Sequence, residues 1–301
     1  MNILVTGGCG FIGSDYLNQM VIKYPFDNFI CLDKLTYAGN LNNIDSIKDK
    51  DNFKFIKGDI CDEKLVDDLF KDNHFDLVIN FAAETHVDTS IINPDIFYKT
   101  NVLGVLNLLK ASNKYKVGRF HQVSTDEVYG DKPLNSKDSF VETDALHPSS
   151  PYSSSKASAE LLVMAFHRTY NLDVTISRSV NNYGNNQNKE KFIPKVIDCL
   201  KSGKEIPLYG DGLNIRSWID VSKNNYYIDM ISRFANNGEI YNISDNFEIS
   251  NIDLIKLIAK HFNITDCKIK YIENRPGHDE RMSISNYKLT RFILGIEEGR
   301  L

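Results

Sequence analysis

A chain of 301 residues, 42% of them hydrophobic and 25% charged, can bury a sizeable core as one large α/β unit or two lobes, which excludes a disordered chain. Its formal charge of -5 excludes a general nucleic-acid binder, which needs excess lysine and arginine to displace counterions, so an anionic ligand has to meet a local basic pocket. The five cysteines (Cys9, Cys31, Cys61, Cys199 and Cys267) lack C-x-x-C spacing and the seven histidines lack metal-ligand spacing, so neither a disulfide framework nor a metal site is expected, and the compartment reads as reducing and cytoplasmic.

Met1 leads at once into an apolar run at residues 3–6, leaving no room for a signal peptide, and no apolar run is long enough to span a bilayer. Short apolar runs at 29–32, 53–57, 77–81, 120–124 and 174–177 predict further strands, and patterns at 11–22, 63–70, 97–113 and 153–170 predict helices between them. That alternation predicts an α/β fold, a Rossmann-type doubly wound parallel sheet over residues 1–178. Beyond residue 178 come short strands at 206–209, 240–243 and 268–272 and helices at 191–201 and 252–261. They predict a smaller mixed α/β lobe over 179–301, some of whose segments return to the first domain, with a ligand cleft between the two. No internal repeat is present, and the polar stretch 185–189 reads as a surface loop.

The first motif, Gly7-x-x-Gly10-x-x-Gly13, lies between the first strand and the first helix. It departs from the G-x-G-x-x-G fingerprint but serves the same physics: a tight turn, a backbone that approaches a pyrophosphate, and a helix N-terminus aimed at its charge. A glycine triplet alone is a weak signal. Here Asp33 answers it at the end of the second strand, where a carboxylate accepts from both ribose hydroxyls and repels a 2′-phosphate, so NAD is expected over NADP. Gly58-Asp59-Ile60 and Phe81-Ala82-Ala83 close two more strands and are compatible with adenine and pyrophosphate lying close to the sheet.

The run at 120–124 ends in Ser124, Thr125, Asp126, Glu127 and Tyr129, which places hydroxyls and two adjacent carboxyls where open parallel sheets bind ligands. Alone, that run fits an ordinary capped helix entry equally well. Tyr152 and Lys156 are four apart at the start of a long helix and share one face, so the ammonium is expected to favour the phenolate and lower the tyrosine pKa.

Together with Asn101, these motifs resemble the extended short-chain dehydrogenase/reductase superfamily. Ser124-Thr-Asp-Glu-Val-Tyr-Gly130 is similar to the signature of its nucleoside-diphosphate-glucose 4,6-dehydratases, whereas sugar-nucleotide epimerases carry small residues at the positions of Asp126 and Glu127. The resemblance extends through 32–40, 82–88, 179–184, 190–194, 207–212, 215–218 and 274–279. It implies that Thr125, Asp126, Glu127, Tyr152 and Lys156 do the chemistry. It also implies that Gly7, Gly10, Phe11, Ile12, Gly13, Asp33, Lys34, Thr36 and Gly39 bind NAD, together with Asp59, Ile60, Ala82, Ala83, Asn101, Ser124, Tyr152 and Lys156. Glu84, His86, Thr125, Asn181, Asn182 and Lys191 are implied for the sugar nucleotide, and so are Pro207, Tyr209, Arg216, Asn251, Arg275 and His278. A homodimer formed through the helices at 97–113 and 153–170 is implied as well.

The chemistry makes sense of these side chains. Tyr152 takes the proton of the sugar C4 hydroxyl as the hydride leaves for NAD, and Thr125 hydrogen-bonds the C4 oxygen. The C4 ketone acidifies C5; Glu127 acts there as base, while protonated Asp126 gives its proton to the departing C6 hydroxyl. Arg216 and Arg275 offer forks to a diphosphate and Tyr209 a flat face to a pyrimidine. Thr89, Ser217 and Met282 depart from what dTDP-glucose enzymes usually carry, and Ser217 with 184–187 leans the expectation towards UDP-glucose, with dTDP-glucose close behind. The alternatives are a 4-epimerase or decarboxylase on the same scaffold, or a non-enzymatic NAD-dependent sensor.

Overall fold

All four residues of β4 (Leu77–Asn80) are buried, as a parallel strand covered on both faces requires. The structure, a computed structural model, describes residues 1–299 and sets β4 between β1 (Asn2–Thr6) and β5 (Arg119–Thr125) in a seven-stranded sheet. Beyond β1 lie β2 (Asn28–Asp33) and β3 (Phe53–Lys57); beyond β5 lie β6 (Val174–Ser179) and β10 (Glu239–Ile243). Every pairing in this sheet is parallel. The strand order reverses between β1 and β4, and a crevice opens at the carboxyl ends there.

Successive side chains of a strand point to opposite faces, and β1 divides its apolar residues accordingly. Ile3 and Val5 join a core with Leu17 and Met20 of α1 (Phe11–Lys23), Ile228 and Ile231 of α8 (Val221–Phe234) and Leu289 and Phe292 of α10 (Tyr287–Glu297). Leu4 joins the other core, with Val66 of α2 (Glu63–Asp72), Leu108 of α5 (Val105–Lys114) and Val163 of α6 (Pro151–Tyr170). The helix expected at 97–113 is a longer composite. It comprises α4 (Asp95–Tyr98), a π turn (Lys99–Gly104) and α5, and it follows a short helix, α3 (Val87–Ile92). Such π turns are frequent at functional sites.

The second lobe contains a three-stranded sheet in which β9 (Ile215–Asp220) pairs parallel with β7 (Asn181–Tyr183) and antiparallel with β11 (Phe247–Ser250). A parallel pair, β8 (Ile206–Tyr209) and β12 (Ile269–Ile272), packs with α7 (Phe192–Ser202) and α9 (Asn251–His261) around Val196, Leu200, Leu208 and Ile255. The strand expected at 240–243 is β10, on the edge of the main sheet beside β6. Among the described residues, no helix is long and apolar enough to cross a membrane.

Candidate active site

The glycine loop is shaped by close approach. Gly7 has φ +69°, and a Cβ there would lie 2.6 Å from the backbone nitrogen of Ala82; one on Gly13 would lie 2.4 Å from the carbonyl oxygen of Gly7. Only glycine permits both the turn and the packing of α1 against it. Asp33, at the end of β2, accepts from the Cys9 amide (2.9 Å) and the Leu35 amide (2.7 Å), and burial nonetheless raises its pKa. Asp59 accepts from the Cys61 amide at 2.9 Å and pairs with Lys34 at 2.7 Å.

Thr125, the last residue of β5, caps a 3₁₀ turn (Asp126–Tyr129) by accepting from the Glu127 amide at 3.3 Å. That tight turn carries two carboxyls into the interior beside the C-terminal strand ends. Asp126 is buried; desolvation, followed by the charge of Glu127, raises its pKa to about 8. Glu127 is raised as well, by burial first and Asp279 second, against the lowering effects of Arg275, Arg216 and Lys191. The turn is anchored from behind. Tyr129 stacks on Phe140 at 5.0 Å, accepts from Arg178 Nη1 at 2.6 Å and donates to Asn242 Oδ1 at 2.8 Å.

Ser150 starts α6 with a capping box to Ser153 and with Pro151 in the first turn, which fixes where Tyr152 and Lys156 project. The expected lowering of the Tyr152 pKa is not what this geometry produces. Lys156 Nζ donates to the Val123 carbonyl at 2.7 Å, and the phenol is raised well above its ordinary value, by burial and then by Glu127. Lys156 itself is lowered to about 8 by burial. At Tyr152, desolvation outweighs the hydrogen bond with Thr125, which acts to lower the phenol pKa.

A single cleft of about 290 Å³ brings together the five expected catalytic side chains, the expected cofactor residues apart from Asn101, and Glu84, Asn181, Asn182 and Lys191. Asn101, in the π turn, stands behind that wall. Its amide accepts from the Glu84 N–H (2.8 Å) and donates to the Glu84 carbonyl (3.0 Å) and to Ser155 Oγ (2.9 Å). The glycine cradle and the buried, unpartnered hydroxyls of Ser124 and Ser179, which also line the cleft, fit a dinucleotide.

The other expected substrate residues lie outside the cleft lining. Arg216 is buried and donates to the carbonyls of Ile215 (2.8 Å) and Asp279 (2.9 Å), with its charge felt at Glu127. Tyr209 and Arg275 both donate to Asp88 at 3.1 Å, and His278 meets the Tyr209 ring edge-on at 5.8 Å. His86 caps α3, its ring accepting from the Thr89 amide at 3.2 Å. Pro207 lies within β8, and Asn251 opens α9 with its N–H on the Asn214 carbonyl at 3.0 Å. Sequence reasoning passed over Asp88, Asp279 and Ser179 as site residues. Asp88 had a signal, since it shares the 82–88 motif with Glu84 and His86.

A glycine-loop dinucleotide crevice joined at the sheet's switch point to Tyr152 and Lys156 defines an extended short-chain dehydrogenase/reductase. The family described as GDP-mannose 4,6 dehydratase matches residues 4–295, and the chain belongs to it. A dTDP-glucose 4,6-dehydratase of Streptomyces antibioticus is 43% identical over 289 residues, covering 94% of this chain and 84% of that protein. The low-salt glycan biosynthesis protein Agl12 of Haloferax volcanii is 42% identical over 288 residues, 96% of this chain and 91% of that protein. The crystal structure of DesIV, a dTDP-glucose 4,6-dehydratase from Streptomyces venezuelae with NAD bound, superposes with a TM-score of 0.92 at 39% identity, covering 97% of this chain and 90% of that one.

Proposed function

We propose that the protein is an NAD-dependent hydro-lyase that converts a nucleoside-diphosphate glucose into the 4-keto-6-deoxyglucose nucleotide. The observation that carries this reading is the carboxyl pair at the end of β5: Asp126, kept protonated near neutrality by burial, directly beside Glu127 in the cleft that holds Tyr152. NAD, when bound, supplies the hydride acceptor for sugar C4 and the hydride donor for C6. Tyr152 takes the C4 hydroxyl proton and Thr125 orients that oxygen. Glu127 removes the C5 proton, and Asp126 protonates the departing C6 hydroxyl. A 4-epimerase uses the tyrosine and lysine but has no task for this pair.

For the nucleobase, the reading favoured here is thymine, as in the dTDP-glucose 4,6-dehydratases that are 39–43% identical. The uridine expectation leaned on Ser217 together with 184–187; the Ser217 side chain is buried and donates to the Met282 carbonyl at 3.1 Å, away from the cleft, whereas Gln187 lines it. A homodimer through the composite helix and α6 is part of the proposal, supported by the exposed apolar side chains of Leu103 and Leu161 on those helices. The five free thiols suit a cytoplasmic setting.

Mass spectrometry after incubation with dTDP-glucose and, separately, UDP-glucose tests the reading. Loss of one water supports a dehydratase, an isomer of unchanged mass supports an epimerase, and an unaltered substrate overturns both.

A further inference from the structure

Asp88, near the start of α3 in the first lobe, gives each carboxylate oxygen to a different side chain of the second lobe. Oδ1 accepts from Arg275 Nη1 at 3.1 Å and Oδ2 from the Tyr209 hydroxyl at 3.1 Å. Burial pushes the Asp88 pKa up, but the hydrogen bond and charge of Arg275 outweigh it and hold the carboxyl below its ordinary value. One arm of the Arg275 fork is fixed by Asp88, and the adjacent Nε is buried and left as an unsatisfied donor. The Tyr209 ring is held twice, by its hydroxyl on Asp88 and by the His278 edge at 5.8 Å.

The same segment grips a second cation. Lys191 Nζ donates to the Thr85 carbonyl at 3.0 Å, next to Glu84, whose backbone Asn101 ties to Ser155 on α6. Residues 84–88 therefore link the basic groups of the second lobe to the helix that carries Tyr152 and Lys156.

We propose that Asp88 is a positioning residue for the nucleotide: it holds the Arg275 fork and the Tyr209 ring in the orientation that receives a nucleoside diphosphate, so that the first lobe completes a site built mostly by the second. This rests on the dehydratase reading above. An arginine fork and a phenol each gain selectivity from a fixed orientation, and a carboxylate accepts from both at once. Asparagine offers one acceptor and one donor group, so Asp88→Asn keeps at most one of the two accepting contacts, removes the charge that holds Arg275, and forces the Tyr209 hydrogen bond to reverse direction or break.

The test is titration calorimetry of the NAD-loaded protein with dTDP and with UDP, alongside steady-state kinetics. Asp88→Asn is expected to weaken nucleoside-diphosphate binding about 10- to 100-fold, the range for hydrogen bonds to charged groups, and to raise KM with kcat at saturation retained. NAD affinity should stay at the wild-type value, and Asp88→Glu should recover part of the loss. A general structural lesion would instead lower kcat, NAD affinity and melting temperature together, which overturns the proposal. Unchanged nucleotide binding also overturns it, and so does tighter binding, which would make Asp88 a competitor of the diphosphate. If the asparagine variant does not fold, Tyr209→Phe removes the held hydroxyl and keeps the ring; nucleotide affinity equal to wild type then overturns the proposal. Wild-type protein that binds neither dTDP nor UDP sinks the dehydratase reading itself, an outcome distinct from two proteins that bind equally.

Discussion

Arg178 and Glu160 form a buried ion pair at 2.6 Å directly behind the catalytic turn. The guanidinium also donates to Tyr129, so the pair connects α6 to the turn that carries Asp126 and Glu127. Removing one partner leaves an uncompensated buried charge, so Glu160→Ala should destabilise the protein by about 3–5 kcal/mol. Chemical denaturation checks this; a loss below about 1 kcal/mol would mean that water or another group satisfies Arg178.

The cofactor choice is decided at Asp33. Its carboxylate is fixed by two backbone amides and lines the cleft, where it would repel a 2′-phosphate. NAD should bind more than about tenfold more tightly than NADP, since like-charge juxtaposition costs several kcal/mol, on the order of 1.4 kcal/mol per tenfold. Calorimetry with equal affinities for the two dinucleotides would contradict this.

The pH dependence follows from two carboxyls of opposite duty. With Asp126 in the proposed role of acid, dehydration should decline as pH rises through its pKa of about 8. With Glu127 in the proposed role of base, its raised pKa should place the acid limb above the ordinary glutamate value of 4.5. The two groups interact, so the limbs of the kcat profile report the pair. An acid limb at or below pH 4.5 would contradict the arrangement.

Stability moves with the same proton. Asp126 binds a proton more tightly in the folded chain than at its ordinary pKa of 3.8, so its contribution is complete below that value and is lost as pH rises to about 8. Asp126→Asn has no such loss. Its melting temperature relative to wild type should increase between pH 4 and 8, reflecting a slope no steeper than about 1.4 kcal/mol per pH unit, while dehydration collapses. A difference that stays flat across that range would mean that Asp126 ionises normally.

Much of the seven-stranded sheet was legible because β1, β2 and β4 are largely apolar runs, which both-face burial demands, while β5 and β6 were legible only through Phe120, Val123, Val174 and Ile176, set among buried polar residues such as His121, Gln122, Thr175 and Ser177. The glycine loop and the Thr125-Asp126-Glu127 run were legible because each requires rare residues in sequence. β9 and β11 were not, since they mix buried and polar positions such as Arg216, Ser217 and Glu248, whose partners lie far away in the chain. The helices α8 and α10 escaped for a related reason: asparagines in α8 and polar residues in α10 blur a helical period that tertiary packing restores. Asp88 shows the same limit, because its meaning depends on Tyr209 and Arg275, more than 100 residues further along the chain.

Two substitutions and one isotope label test the order of the chemical steps. Glu127→Gln removes the C5 base and leaves Tyr152 able to support oxidation at C4, so absorbance of the reduced cofactor should build up on the enzyme with little water lost. Tyr152→Phe should stop the sequence earlier and slow C4 oxidation by about 10²–10⁴-fold, with little reduced cofactor formed. Deuterium placed at C4 of the substrate should reappear at C6 of the same product molecule, because one cofactor acts twice in one cleft, and solvent hydrogen should enter at C5, where Glu127 handles an exchangeable proton. NMR of the product reads both positions. If the label remains at C4 or washes into solvent, or if Glu127→Gln dehydrates at the wild-type rate, the roles assigned to the carboxyl pair are wrong and an epimerase becomes the better reading of the same fold.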